Sequence, residues 1–155
     1  MIREITAEDV PALAAVAAAA GNFSPEEVKT VEEMAKESLG SNPNGYHFLC
    51  YVEDRRLLGF ACYGHTSLTD GAYDLYWLGV DAREHGRGVG GALLAEVERR
   101  LTAEGGRLLV AETSGTDAYA AARAFYLHHG FHEAGRIDDF YAVGDAKVIY
   151  VKRMR

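Results

Sequence analysis

The chain has 155 residues, 48% of them apolar, and a formal net charge of −7. That length and apolar content suit one globular domain, 1–155, with a sizeable buried core. The acidic balance argues against a nucleic-acid partner and against an anionic membrane surface. Its two cysteines, Cys50 and Cys62, fall on neighbouring strand-like segments and read as reduced core thiols of a cytoplasmic protein. The opening residues lack a cationic end followed by an apolar run, so no signal peptide is expected. The longest apolar stretch, around 13–20, is too short to span a bilayer.

In chain order, a short strand over 2–5 leads into a helix capped by Thr6, with Asp9 three residues on. A second helix begins at Ser24-Pro25-Glu26-Glu27, where Ser caps, Pro takes the first helical position and Glu27 completes a capping box. Its acidic run, 26–37, reads as the solvated face of an amphipathic helix. Asn42-Pro43-Asn44-Gly45 then breaks the chain. Strands over 46–52 and 57–63 flank a polar turn at 53–56 and form a hairpin. Another turn at 69–71 precedes a strand over 73–80. After a glycine-dense turn, a helix runs to about 103 with Val89, Leu93, Val97 and Leu101 on one stripe. A buried strand over 108–113, a helix over 117–129 stopped by Gly130, and strands over 131–141 and 147–152 about a turn at 143–145 complete the chain. The order is β-α-α-β-β-β-α-β-α-β-β, which is a mixed α/β domain.

The glycine-dense turn, His85-Gly86-Arg87-Gly88-Val89-Gly90-Gly91, opens a helix. Helix starts leave backbone N–H groups unpaired and carry partial positive charge, and glycines let a bulky anion approach them. Arg83 and Arg87 add two cations, so a phosphate or pyrophosphate is the expected ligand. A P-loop is excluded, because Gly91 is followed by Ala92-Leu93 instead of Lys-Ser/Thr. The dinucleotide fingerprint matches by letter as Gly86-x-Gly88-x-x-Gly91. Residues 81–85 nevertheless separate it from the strand, and too little chain remains for a doubly wound sheet.

A third reading rests on a family. The run Val80-Asp81-Ala82-Arg83-Glu84-His85-Gly86-Arg87-Gly88-Val89-Gly90-Gly91-Ala92-Leu93-Leu94 resembles the acetyl-coenzyme-A signature of the GNAT superfamily of N-acetyltransferases. Downstream, Ala122-Arg123-Ala124-Phe125-Tyr126-Leu127-His128-His129-Gly130-Phe131 resembles the same family's second signature, a helix ending in Tyr-x-x-x-Gly-Phe. The resemblance implies a mostly antiparallel mixed sheet of about six or seven strands flanked by about four helices. It implies acetyl-coenzyme A as acetyl donor, no metal, and a primary amine as acceptor, either a small molecule or a protein N-terminus; homodimers are common in folds of this type. The alternative within the same fold is a coenzyme-A-binding module without catalysis.

By that resemblance the pyrophosphate lies on the amides of Gly86, Arg87, Gly88, Val89, Gly90 and Gly91. The strand end Leu78-Gly79-Val80 pairs with pantetheine, and an N–H near Leu78 or Gly79 polarises the thioester carbonyl. His85 stands where the family usually has Gln or Arg. Tyr119 stands where it frequently has a pantetheine-contacting Asn. Tyr126 matches the general acid; a tyrosine, protonated at neutral pH, can give its proton to a thiolate. Its other reading is aromatic packing beside Phe125. Asp74, six residues before Val80, matches a position where several members carry Glu, and strand alternation puts it on one face with Tyr76, Leu78 and Val80. Glu112, near the end of the next strand, competes with it for the base role. The other reading of either carboxylate is an ordinary edge or solvated group. His128, His129 and His132 come with no thiol or carboxylate pattern, so zinc is not expected there. Trp77 and the aromatics near 46–51 and 60–63 read as sheet packing. Asp138-Asp139-Phe140-Tyr141 in the last hairpin is a candidate amine contact or a plain turn-flanking pair.

Overall fold

A computed structural model describes residues 1–40 and 45–154; the turn expected at 42–44 lies outside the described residues. The chain forms β1 (Ile2–Glu4), a 3-10 turn (Ala7–Asp9), α1 (Val10–Ala19), α2 (Pro25–Ser38), β2 (His47–Glu53), β3 (Arg56–His65) and β4 (Ala72–Val80). A second 3-10 turn (Ala82–Glu84) leads to α3 (Val89–Ala103) and β5 (Leu108–Ser114). A third (Asp117–Tyr119) leads to α4 (Ala120–His128), β6 (His132–Ala142) and β7 (Asp145–Arg153). The expected element order is the observed one. The seven strands make one sheet, β1-β2-β3-β4-β5-β7-β6. Of the pairings with a defined register, β4–β5 is parallel and β1–β2, β2–β3, β5–β7 and β6–β7 are antiparallel. No described helix is long and apolar enough to cross a membrane.

Contacts group the residues into two compact units, Met1–Gly64 with Tyr76–Arg100, and His65–Leu75 with Leu101–Arg155. In the first, local chemistry sets the helix starts. Ser24 Oγ accepts from Glu27 N–H at 3.1 Å and Glu27 Oε1 accepts from Ser24 N–H at 2.9 Å, the reciprocal capping expected. At Thr6 the outcome differs in detail. Asp9 Oδ2 accepts from the Thr6 N–H at 2.7 Å, and the first turn is 3-10, so the α-helix begins only at Val10. Asp9 also takes a two-pronged Arg3 guanidinium at 2.7 and 3.0 Å, which holds its carboxyl down to about 2. The β2–β3 hairpin closes through Asp54 and Arg55, both left-handed at φ +51° and +63°. Two such residues match the right-handed twist of the strands they join.

The core of this unit lies between the helices and the sheet. Leu13, Val16 and Ala17 of α1 and Val31 and Ala35 of α2 pack with Phe48, Cys50, Phe60 and Cys62 of the strands. Full burial of a side chain such as Leu13 or Phe60 contributes about 2–3 kcal/mol each. Both cysteines are free and buried, and burial pushes the Cys62 thiol well up. The packing holds Gly79 by contact. A Cβ on Gly79 would sit 2.6 Å from Phe60 Cε1 and 2.9 Å from its Cζ. Gly79→Ala should therefore cost about 2 kcal/mol, read as a lower denaturant midpoint at unchanged slope. An unmoved midpoint would show that the buried Phe60 ring has room to give way.

In the second unit, β7 runs antiparallel to β5 from Leu108↔Arg153 to Ser114↔Lys147. The buried residues Leu109, Ala111, Val148 and Tyr150 face one way. On that side α4 brings Tyr126 to ring-centroid distances of 5.6 Å from Tyr150 and 5.2 Å from Phe131. Gly130, left-handed at φ +90°, ends α4 as expected.

Candidate active site

The turn after β4 is built from ion pairs inward. Asp81 Oδ1 accepts from Arg83 N–H at 3.0 Å, starting the 3-10 turn, and the Arg83 guanidinium folds back on the same carboxylate at 2.7 and 3.2 Å. Those bonds hold the Asp81 carboxyl down to about 2. Glu84 is buried and both its oxygens are engaged, one by Arg56 of the hairpin and the other by Arg87 at 2.5 Å. Arg87 reaches on to Glu53 at 2.9 and 3.2 Å. The two cations expected at this turn are present, and both are ion-paired. Arg83 and Arg87 are each matched by carboxylates, and Glu53, contributed from the hairpin, is no part of the local motif.

What stays open is the backbone. Gly86 and Gly88 are left-handed, at φ +84° and +80°, and a Cβ built on either meets nothing within 4 Å. The helix starts at Val89, so Gly90 and Gly91 lie in its first turn. Its first bond is Ala92 N–H to the Gly88 carbonyl at 3.0 Å, which leaves the amides of Val89, Gly90 and Gly91 without an intrahelical acceptor. These amides and the helix dipole make an anion-binding surface with open space in front of it. His85 does not face outward alone. Its Nε2 donates to the Val80 carbonyl at 2.9 Å, tying the turn to the end of β4.

The candidates for proton chemistry all lie in the other unit. Tyr126 is buried, which pushes its hydroxyl up to about 12 and keeps it protonated at any physiological pH. Register places the carboxylates. Asp74 pairs with Val110 and Glu112 pairs with Ile149, so both carboxylates stand on the face opposite Ala111, Tyr150 and Tyr126. Asp74 and Glu112 are diagonal neighbours, ~8 Å apart from strand spacing and rise. Sequence alone did not find their partners. Asp74 Oδ2 accepts a 2.6 Å bond from the Thr66 hydroxyl, and Glu112 Oε2 lies 2.8 Å from Lys147 Nζ. The β4–β5 ladder ends at Leu75↔Ala111, while β4 continues to Val80 and β5 to Ser114.

Tyr119 closes the third 3-10 turn directly before α4. That turn is held by Arg123, whose Nη1 donates to the Ser114 and Thr116 carbonyls at 2.8 and 2.6 Å. His129 rests on Phe125, centroids 4.3 Å apart. Among the described residues no group of three or more His, Cys, Asp or Glu is placed to hold a metal.

A family model described as an acetyltransferase (GNAT) domain matches residues 43–133. A solved Desulfovibrio desulfuricans protein assigned to the GNAT family of acetyltransferases is 40% identical, with a TM-score of 0.96 over 100% of this chain and 99% of that one. The ribosomal-protein-S18-alanine N-acetyltransferase of Escherichia coli superposes with a TM-score of 0.80 at 22% identity, over 99% of this chain and 93% of its own. An aminoglycoside 6'-N-acetyltransferase complexed with coenzyme A gives 0.77 at 16% identity, over 100% and 97%. Comparison with curated proteins found no match. With the family model covering more than half of it and a relative of this likeness along its whole length, the chain belongs to the GNAT family of acetyltransferases.

Proposed function

We propose that the protein moves an acetyl group from acetyl-coenzyme A to a primary amine by direct transfer in a ternary complex. The observation that carries this reading is the division of proton chemistry across the β5–β7 sheet. A buried tyrosine, packed on Tyr150, stands on one face and two carboxylates on the other. Acyl transfer to an ammonium needs both: a base to free the nitrogen lone pair and an acid for the departing sulfur. In the reaction the N–C bond forms and the C–S bond breaks. The ammonium proton goes to Glu112 or Asp74, directly or through water; the second proton, shed by the nitrogen as the amide forms, ends on the departing sulfur, with the Tyr126 hydroxyl as the donor to that sulfur and restored in the same step.

The pyrophosphate is assigned to the amides of 86–91, which supply anion-binding groups independent of the paired arginines. Pantetheine is assigned to Leu78, Gly79 and Val80, in keeping with a β4–β5 ladder that stops at Leu75↔Ala111. Tyr119 is a candidate contact for the same arm. Acceptors of the related enzymes, a ribosomal-protein alanine and an aminoglycoside, are both amines. A chain of net charge −7 suits a cationic acceptor. The two buried, unpaired thiols agree with a cytoplasmic location.

The test is calorimetric titration with acetyl-coenzyme A, NADH as control, followed by thiol release with a panel of primary amines. Coenzyme binding with thiol release on at least one amine is expected. Binding without release on any small amine or N-terminal peptide would favour a coenzyme-binding module, and affinity for NADH alone would overturn the reading.

A further inference from the structure

Strand alternation gives the second unit a face that no helix of that unit buries. Lys147, Ile149 and Val151 of β7 point to it, as do Val110 and Glu112 of β5, all at most partly covered except the exposed Glu112. On this face the Lys147 ammonium is held at two points. Its Nζ lies 2.8 Å from Glu112 Oε2 and 4.2 Å from the centroid of the Phe140 ring. A carboxylate and an aromatic face are the two groups that best bind a primary ammonium, by charge and by the ring quadrupole. The side chain that fills the position is well sheltered, at 18% exposure.

Phe140 reaches this position through a distortion. Between the pairs Ile137↔Lys147 and Ala142↔Asp145, residues 138–141 of β6 stand against Ala146 alone. Within that bulge Asp139 is left-handed at φ +55°, and its Oδ1 accepts from Gly144 N–H at 2.7 Å. A non-glycine residue so placed costs ~1 kcal/mol, and bulges of this kind re-aim side chains. Val110, Ile149 and Val151 share this face with the pair, as does Asp74, whose Oδ2 accepts from the Thr66 hydroxyl.

We propose that Glu112 and Phe140 form the ammonium subsite for the acceptor, and that Lys147 occupies it intramolecularly until an acceptor displaces it. The inference rests on the transferase reading and adds a substrate class, a primary ammonium on an aliphatic arm, which matches the Glu112 carboxylate and the aliphatic side chains that share its face. Lys147 is then a specificity-determining residue: an acceptor must outcompete it, and weakly cationic amines are turned away.

The experiment measures binding of 1,5-diaminopentane to the full chain by calorimetry, with coenzyme A present so that no turnover occurs. Lys147→Met keeps the aliphatic stem and removes the charge; Lys147→Gln is the second variant should the first fold poorly. Either is expected to bind the diamine roughly fivefold more tightly than the wild type, the upper end of what breaking a part-exposed ion pair costs. Adding Phe140→Leu should reverse the gain, and 1,5-pentanediol should show none. Unchanged or weaker diamine binding in both Lys147 variants overturns the proposal, as does an equal gain for the diol. Thiol release from acetyl-coenzyme A is followed separately. Tighter diamine binding without release on any amine would sink the transferase reading and leave the subsite, whereas release without tighter binding would do the opposite.

Discussion

Replacing Tyr126 by Phe is expected to lower kcat by roughly 10²–10³-fold while coenzyme A binds as before. The ring packs on Tyr150, Phe131 and Phe125 at 5.2–5.7 Å, and Phe preserves all of those contacts, so the unfolding midpoint should stay where it is. The size of the loss follows from acidity. Burial pushes Tyr126 up to about 12, whereas an ordinary thiol titrates near ~8.5. Complete proton transfer to a relaxed thiolate is therefore uphill by about 5 kcal/mol. In the transfer proposed above, Tyr126 would therefore act by donating a hydrogen bond that strengthens as the C–S bond breaks, with the proton crossing only as far as the sulfur demands it. That places its effect with oxyanion-type donors rather than at the top of the general-acid range. The same acidity fixes the pH behaviour. Tyr126 is protonated in its active form, its pKa lies above assay pH, and no basic limb below about pH 10 should trace to it. Thiol release at saturating acetyl-coenzyme A, wild type against Tyr126→Phe across pH, reads both. A variant with full kcat would leave Tyr126 as packing or binding only.

The parts of this molecule that were legible in the sequence are those whose cause is local. Ser24 and Glu27 cap a helix because they are three residues apart, and the glycine-dense turn at 85–91 announces a helix start from its own residues. The two signature runs are legible for the same reason, since each is a strand end or a helix with its own neighbours. The partners of the candidate site are set by strand register and hairpin closure, and these are long-range. Thr66 meets Asp74 across a turn, Lys147 meets Glu112 across β5–β7, and Arg56 meets Glu84 from 28 residues away. The ion pairing of Arg83 and Arg87 was legible only in part. Glu53 was out of reach of any local pattern, but Asp81 and Glu84 stand two and three residues away and were in plain view. The opposite faces of Tyr126 and the carboxylates also needed the register, because alternation along β5 alone does not say which side α4 covers.

Gly88→Val is expected to weaken coenzyme A binding by roughly 100-fold or more, the second large effect. The cause has two components that can be separated. A β-branched residue at φ +80° is strained by ~1–2 kcal/mol, since the left-handed region crowds Cβ against the carbonyl. The new side chain clashes with nothing in the protein, because the space around a Gly88 Cβ is empty to 4 Å. That empty space is where the proposed assignment puts the pyrophosphate, against the amides of Val89, Gly90 and Gly91. Stability loss should thus be modest and the loss of affinity large, the reverse of Gly79→Ala, which meets the Phe60 ring. Gly105 supplies the matched control, with φ +86° and likewise nothing within 4 Å, at the far end of α3. Gly105→Val should lower the unfolding midpoint by a similar amount and leave coenzyme affinity untouched. Calorimetry and thermal unfolding on the two variants together decide the matter. Equal midpoints with affinity lost only in Gly88→Val assign the pyrophosphate to this turn. Wild-type affinity in Gly88→Val would move the coenzyme elsewhere, and with it the meaning of the glycines, because strain alone would then be all that they relieve.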